Sequence, residues 1–213
     1  MNENEDLGAR PDASSSHGPV ESPDNGDGPH PRRHVVVMGV SGSGKTTVAE
    51  ALREELGMPF AEADDFHPAS NIAKMSAQIP LTDEDRWPWL QRLRDWMSEH
   101  SGTGSIITCS ALRRPYRDVL REATGGTVFL HIATDQGILS DRLNSRAGHF
   151  MPPALLASQL STLEALEPDE PGTVLTNDDT VEALVAASLA WVKALREGSG
   201  TYRSDHDVTS QLP

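Results

Sequence analysis

A single cysteine, Cys109, stands in the 213 residues, so no intrachain disulfide framework can brace this chain. Cations are scarce too: 18 Lys and Arg face 32 Asp and Glu, a formal net charge of -14 at pH 7. That balance repels phosphate backbones and anionic lipid at long range, which argues against nucleic acid and membrane surfaces as general partners. A small anionic substrate stays compatible with it where positive charge is gathered locally. No apolar run approaches the roughly 18 residues that a membrane-spanning helix needs. The start of the chain also lacks the basic, apolar and small-residue order of a signal peptide, and the expectation is a cytoplasmic protein.

Residues 1–33 are Ser, Gly, Pro, Asp and Asn with almost nothing apolar, a composition that cannot offset the entropy of ordering itself. They are expected to form a disordered tail, and residues 198–213 a flexible second one, with no internal repeat between them. The body, residues 34–197, is the size of one ordinary domain. It alternates short apolar runs with longer amphipathic ones, the pattern of an α/β protein whose mainly parallel sheet is covered by helices on both faces. Strands are expected at His34 to Met38, Pro59 to Glu62, Ser105 to Cys109, Thr127 to Ile132 and Thr173 to Leu175. Val181, Leu184, Val185, Leu189, Val192 and Leu195 recur at helical spacing and predict a last helix with one stripe on the sheet. Trp89, Leu90, Leu93, Trp96 and Met97 predict another, capped by Thr82 with Asp85 three residues on, and the tryptophans read as core packing. Cys109 ends a buried strand and reads as packing, not as a nucleophile.

The first strand runs into Gly39-Val40-Ser41-Gly42-Ser43-Gly44-Lys45-Thr46, followed by Thr47 and the helical pattern Val48, Ala49, Leu52 and Leu56. Strand, glycine-rich turn and helix in that order form a P-loop. Glycine at 39, 42 and 44 lets successive backbone N–H groups turn inward as a phosphate cradle, and the helix adds its positive end. Lys45 can reach the β and γ phosphates, and the Thr46 hydroxyl can ligate Mg2+. The chain has neither the Asn-Lys-x-Asp of guanine-specific switches nor the Leu-Ser-Gly-Gly-Gln of transport ATPases. The small body favours a compact ATP-dependent metabolite or nucleotide kinase.

After the second strand comes Glu62-Ala63-Asp64-Asp65-Phe66-His67-Pro68, a group of acids at a strand C-terminus, where open α/β sheets place ligands. Pro68 would begin a helix carrying Asn71 and Lys74. A carboxylate beside a P-loop suits the base that deprotonates an attacking hydroxyl, and Asp64 is the choice, with Glu62 or Asp65 helping to hold hydrated magnesium. Without the P-loop the same run would read as a solvated loop or a helix cap. Arg86, Arg113, Arg114, Arg117, Arg142 and Arg146, with His67 and His149, concentrate positive charge in the middle of the chain and suit phosphates and an acidic substrate. Arg92, Arg94 and Arg121 read as surface ion pairs. Arg142 and Arg146 share one helical face and lead into Gly148-His149-Phe150, so a lid around residues 142–153 is expected to fold over ATP.

Gly39 to Lys45, Asp65-Phe66-His67-Pro68 with Asn71 and Lys74-Met75, and Pro80 to Arg86 with Pro88-Trp89-Leu90 together resemble the bacterial gluconokinase family. So do Cys109-Ser110-Ala111-Leu112-Arg113, Tyr116-Arg117-Asp118, and Arg146 with Gly148-His149-Phe150; the resemblance runs from about Val35 to Val192. It implies a P-loop NTPase fold of three α/β/α layers similar to shikimate and adenylate kinases, and phosphorylation of D-gluconate by ATP at its 6-hydroxyl to give 6-phosphogluconate. It also implies that Asp64 engages the acceptor hydroxyl, that His67, Arg86 and Arg117 bind the polyol and carboxylate, and that Arg146 and His149 belong to the lid. A homodimer is implied as well. The doubled acid departs from relatives with a single Asp, which keeps Asp65 as the alternative contact, and Arg113 stands where Lys is common. Asn177 and Asp178, after the last strand, either border the adenine or form a plain turn.

Overall fold

The computed structural model describes residues 32–135, 137–139, 153–177 and 180–197. Among them, β1 His34–Met38, β2 Phe60–Glu62, β3 Ser105–Cys109, β4 Thr127–Ala133 and β5 Gly172–Thr176 form one sheet in the order β2-β3-β1-β4-β5. Every pairing is parallel. Parallel neighbours cannot be joined by tight turns, so helices carry the chain back across the faces. Five strands were expected where five are found; β2 starts one residue later, and β4 and β5 run slightly longer. The helices are α1 Lys45–Leu56, α2 Ala69–Ser76, α3 Asp83–Glu99, α4 Arg114–Arg121, α5 Pro153–Thr162 and α6 Val181–Arg196. Among the described residues no helix is long and apolar enough to cross a membrane.

Successive strand side chains point to opposite faces, which divides the core in two. Val36, Met38, Ile107, Cys109 and Phe129 pack with Trp89, Leu90, Leu93, Met97 and Leu120 of α3 and α4. Val35, Val37, Ile106, Val128, Leu130 and Ile132 pack with Val48 and Leu52 of α1 and Leu184 and Val192 of α6. Strands buried on both faces are mostly apolar, and this is why the runs were readable, with His34, Ser105, Thr108, Thr127 and His131 as buried polar exceptions. The stripe on α6 is narrower than its spacing predicts: Val181, in the first turn, is exposed.

α3 begins with a reciprocal cap, the Thr82 hydroxyl accepting from the Asp85 N–H at 3.4 Å and the Asp85 carboxylate from the Thr82 N–H at 2.9 Å. β1 lies between β3 and β4, where the strand order reverses, and its C-terminal end opens into the crevice that such sheets offer to ligands.

Candidate active site

The loop after β1 crosses the sheet edge so closely that only glycine fits at its start. Gly39 has φ +137°, and a Cβ there would lie 2.6 Å from the Ile132 carbonyl oxygen. Gly44, at φ +102°, caps α1, which has no side-chain cap and no acid in its first turn. The first N–H groups of α1 are thus left for an outside anion, beside the positive end of the helix. Lys45 Nζ donates to the Val40 carbonyl at 3.0 Å, while Thr46 and Thr47 are exposed in the first turn.

The loop is held from below by residues without a sequence motif. Asn177 is buried and its Nδ2 donates to the Ser43 carbonyl at 2.8 Å, with the Thr134 hydroxyl 3.4 Å from the same oxygen. Neither reading of Asn177 foresaw this: it braces the phosphate loop. Asp178 lies outside the described residues.

At the end of β2 the chain makes one 3-10 turn, Ala63–Phe66, fixed by the Trp89 indole N–H donating to the Ala63 carbonyl at 2.7 Å. Asp64 projects from it with 94% of its side chain exposed, whereas His67 keeps 5% and stacks on Trp89 with ring centroids 4.3 Å apart. Asn71 Nδ2 donates to the Asp85 carbonyl at 2.9 Å and stands 3.3 Å from His67 Nδ1. Nδ1 is therefore the acceptor and Nε2 carries the proton, 4.0 Å from Asp64 Oδ1. Burial, followed by the opposing fields of Asp64 and Arg86, leaves the His67 pKa below its ordinary value. One imidazole thus lies within electrostatic reach of both. Burial pushes the Cys109 thiol up to about 12, a backbone hydrogen bond at Ala111 opposing it in part. At that value the thiol is a packing group.

Two guanidiniums stand together beyond His67. Asp83 accepts from Arg113 at 2.6 Å, from the Tyr116 hydroxyl at 2.5 Å and from Arg86 at 3.5 Å. Both arginines lie over the Tyr116 ring at 5.5 Å. The Tyr116 hydrogen bond first, then Arg113 and Arg86, hold the Asp83 carboxyl below the ordinary carboxylate range despite some desolvation. Arg113 also lies 3.6 Å from Glu164, so its charge is shared between two carboxylates, whereas Arg86, partly exposed and only 3.5 Å from Asp83, keeps donors that suit an incoming carboxylate.

Glu62 supplies an oxygen of a different kind. Its Oε2 accepts a short hydrogen bond from the Thr108 hydroxyl, while Oε1 is buried without a partner. The exposed Thr46 hydroxyl is an oxygen donor as well, and among the described residues no group of three or more His, Cys, Asp or Glu could hold a metal. Few protein ligands, all of them oxygen, fit Mg2+, which keeps its waters and leans on phosphates.

Arg117 requires a correction. Its guanidinium is 0% exposed, paired at 2.6 and 2.7 Å with the equally buried Glu170, and its other donors go to the carbonyls of Ala111, Leu112, Glu164 and Ala165. No N–H is left for a sugar acid. Its partner lies 53 residues away in the loop before β5, a spacing without sequence signal. Arg94 and Arg121 make the surface ion pairs expected of them. The sites named at Arg142, Arg146 and His149, and most of the lid, lie outside the described residues.

Known proteins match this arrangement over most of its length. A family model described as an AAA domain covers residues 35–151. A gluconokinase of Gluconobacter oxydans (strain 621H) is 54% identical over 141 residues, 65% of this chain and 79% of that one. Among solved structures, an unliganded sugar kinase from Janibacter sp. HTCC2649 has a TM-score of 0.73 at 54% identity, covering 80% of this chain and 99% of that one. A gluconokinase from Sinorhizobium meliloti 1021 has a TM-score of 0.72 at 42% identity, covering 80% and 97%. The sheet order, the phosphate loop and these likenesses agree, and the chain belongs to the gluconokinase family of P-loop kinases.

Proposed function

We propose that this protein transfers the γ-phosphoryl group of ATP to the 6-hydroxyl of D-gluconate, giving 6-phospho-D-gluconate and ADP. The carrying observation is that an uncapped helix start behind a phosphate loop shares one sheet edge with an exposed carboxylate and a pair of guanidiniums. The remaining amides of residues 40–46 and Lys45 would hold the phosphates, the Ser41 and Ser43 N–H groups being engaged within the protein, with Gly39, Gly42 and Gly44 giving the loop its shape. Asp64 would accept the proton of the attacking hydroxyl. His67, donating from Nε2, would orient the polyol, and Arg86, with Arg113 beside it, would take the carboxylate. Mg2+, held by Thr46 and approached by Glu62, would neutralise charge on the phosphates. Arg142 and Arg146 would stabilise the transferring group, and His149 would close on the substrate; the family resemblance supports this, as it does a cytoplasmic homodimer.

In-line transfer to an alcohol asks the protein mainly for position and charge, since little covalent chemistry falls to it. An exposed Asp64 matches a base that must meet a mobile substrate. Coupled ADP release across a panel of acceptors tests the reading. Gluconate is expected to drive turnover while shikimate, AMP and CMP do not; an equal or faster rate with any of those would reassign the substrate. Tight ATP binding with no gluconate-stimulated ADP release would make the chain a non-catalytic nucleotide binder instead.

A further inference from the structure

Gln159, on α5, meets the phosphate loop with both ends of its carboxamide. The Ser41 N–H donates to Oε1 at 2.8 Å, and Nε2 stands 3.3 Å from the Ser41 hydroxyl. A backbone N–H can only donate, which fixes the orientation of the amide. That N–H belongs to the same planar peptide as the Val40 carbonyl, which accepts from Lys45 Nζ at 3.0 Å and from the Ser43 N–H at 3.3 Å. In a trans peptide the two groups point in opposite directions. The Val40–Ser41 unit is therefore gripped from one side by the P-loop lysine and from the other by Gln159. Hydrogen bonds in such a chain polarise one another, so a bond at the N–H strengthens the carbonyl as an acceptor for the ammonium.

The grip has a rigid base. Val40 packs with Leu112, Leu139 and Leu156, and Leu160 and Leu163 pack alongside. Just past the end of α5, the Glu164 N–H donates to the Leu112 carbonyl at 2.7 Å, and buried Arg117 holds the Glu164 carbonyl at 3.0 Å. Apolar packing alone would seat the helix; the carboxamide adds a directional contact to one peptide of the cradle.

Resting on the kinase reading above, we propose that Gln159 is a positioning residue for phosphoryl transfer, acting through the Val40–Ser41 peptide to set where Lys45 meets the triphosphate. Gln159 itself touches neither substrate. The test is a double-mutant cycle on ATP affinity, measured by calorimetry without gluconate, using wild type, Gln159→Met, Lys45→Ala and the double variant. Methionine keeps length and volume but accepts nothing from the Ser41 N–H. Gln159→Met is expected to weaken ATP binding about five- to tenfold, the cost of one lost hydrogen bond that strands its donor. On the Lys45→Ala background the same change should cost less than about twofold, because the group it acts through is gone. In steady state the loss should fall on kcat and on KM for ATP, with KM for gluconate nearly unchanged. Ser158→Ala, one residue away on the exposed side of α5, is the control for helix packing. Wild-type ATP affinity in Gln159→Met, or an equal loss with and without Lys45, would overturn the proposal. Absence of gluconate turnover in the wild type would count against the functional reading alone, since the ATP cycle does not depend on it.

Discussion

Asp64 and Arg117 show how differently two charged residues expected in one site can be placed. Asp64 stands on a 3-10 turn with His67 Nε2 4.0 Å away and presents its carboxylate to solvent. Asp64→Asn is expected to lower turnover sharply while ATP still binds, measured as gluconate-dependent ADP release beside calorimetric ATP affinity. Should Asp65→Asn do this instead, the base is Asp65. Arg117 is the opposite case: its charge is neutralised inside the protein by Glu170, and it ties α4 to the segment between α5 and β5. Removing one partner of a buried pair strands the other, so Arg117→Met should cost about 3–5 kcal/mol in urea unfolding. Pairing it with Glu170→Met should recover much of that loss, because no buried charge then remains. A substrate-binding arginine would behave otherwise, raising KM for gluconate at unchanged stability.

Elements place these residues by register. The C-terminal ends of β1, β2 and β3 are level, with Met38 opposite Cys109 and Glu62 opposite Thr108, so the loops that follow emerge at one height. The first passes over β4 so closely that the Ile132 carbonyl leaves no room for a side chain at residue 39. Gly39→Ala must shift a backbone, not a side chain, and would also strain φ by about 1–3 kcal/mol. ATP affinity is expected to fall tenfold or more while the far-UV circular dichroism of the helices is kept. Unchanged affinity would mean that the cradle tolerates a displaced start. α3 does comparable work on the acceptor side: its capped N-terminus carries Asp83 and Arg86, and Trp89, one turn on, carries His67 and the Ala63 carbonyl.

Across the whole molecule, acid acts in part through two buried groups beside one cation, Arg117. His131, buried on β4, is held down to about 4, first by desolvation and then by Arg117. Burial alone would raise the Glu170 carboxyl, but hydrogen bonds from Arg117 and the Glu167 backbone more than reverse that. Both folded-state values are depressed, so the unfolded chain binds more protons in acid and stability falls as pH falls. For His131 the loss begins below its ordinary value of 6.5 and is complete near 4, on the order of 3 kcal/mol; Glu170 adds to it through the carboxylate range. Urea midpoints measured from pH 7.5 to 4 should drop accordingly. His131→Asn, which cannot be protonated, should flatten the slope between pH 6.5 and 4, and an unchanged slope would place the acid sensitivity elsewhere.

The sequence by itself determined what depends on local chemistry. Five short apolar runs pointed to strands of a covered sheet, three of them buried along nearly their whole length, Gly39 to Thr46 to a phosphate loop, and Thr82 with Asp85 to a helix start. Asp64, His67 and Arg86 were picked out because they stand at strand and helix boundaries in short motifs, and it is at such boundaries that they lie. Tertiary structure decided every role that rests on a distant partner. Arg117 reads as an anion binder until Glu170 closes on it, Asn177 as an adenine neighbour or a turn residue until Ser43 takes its amide, and Gln159 carries no signal at all until it meets the Ser41 N–H. The physical reason is that hydrogen bonds and charge pairing are satisfied in space, between groups 53 to 134 residues apart, whereas composition and periodicity record only what neighbouring residues prefer.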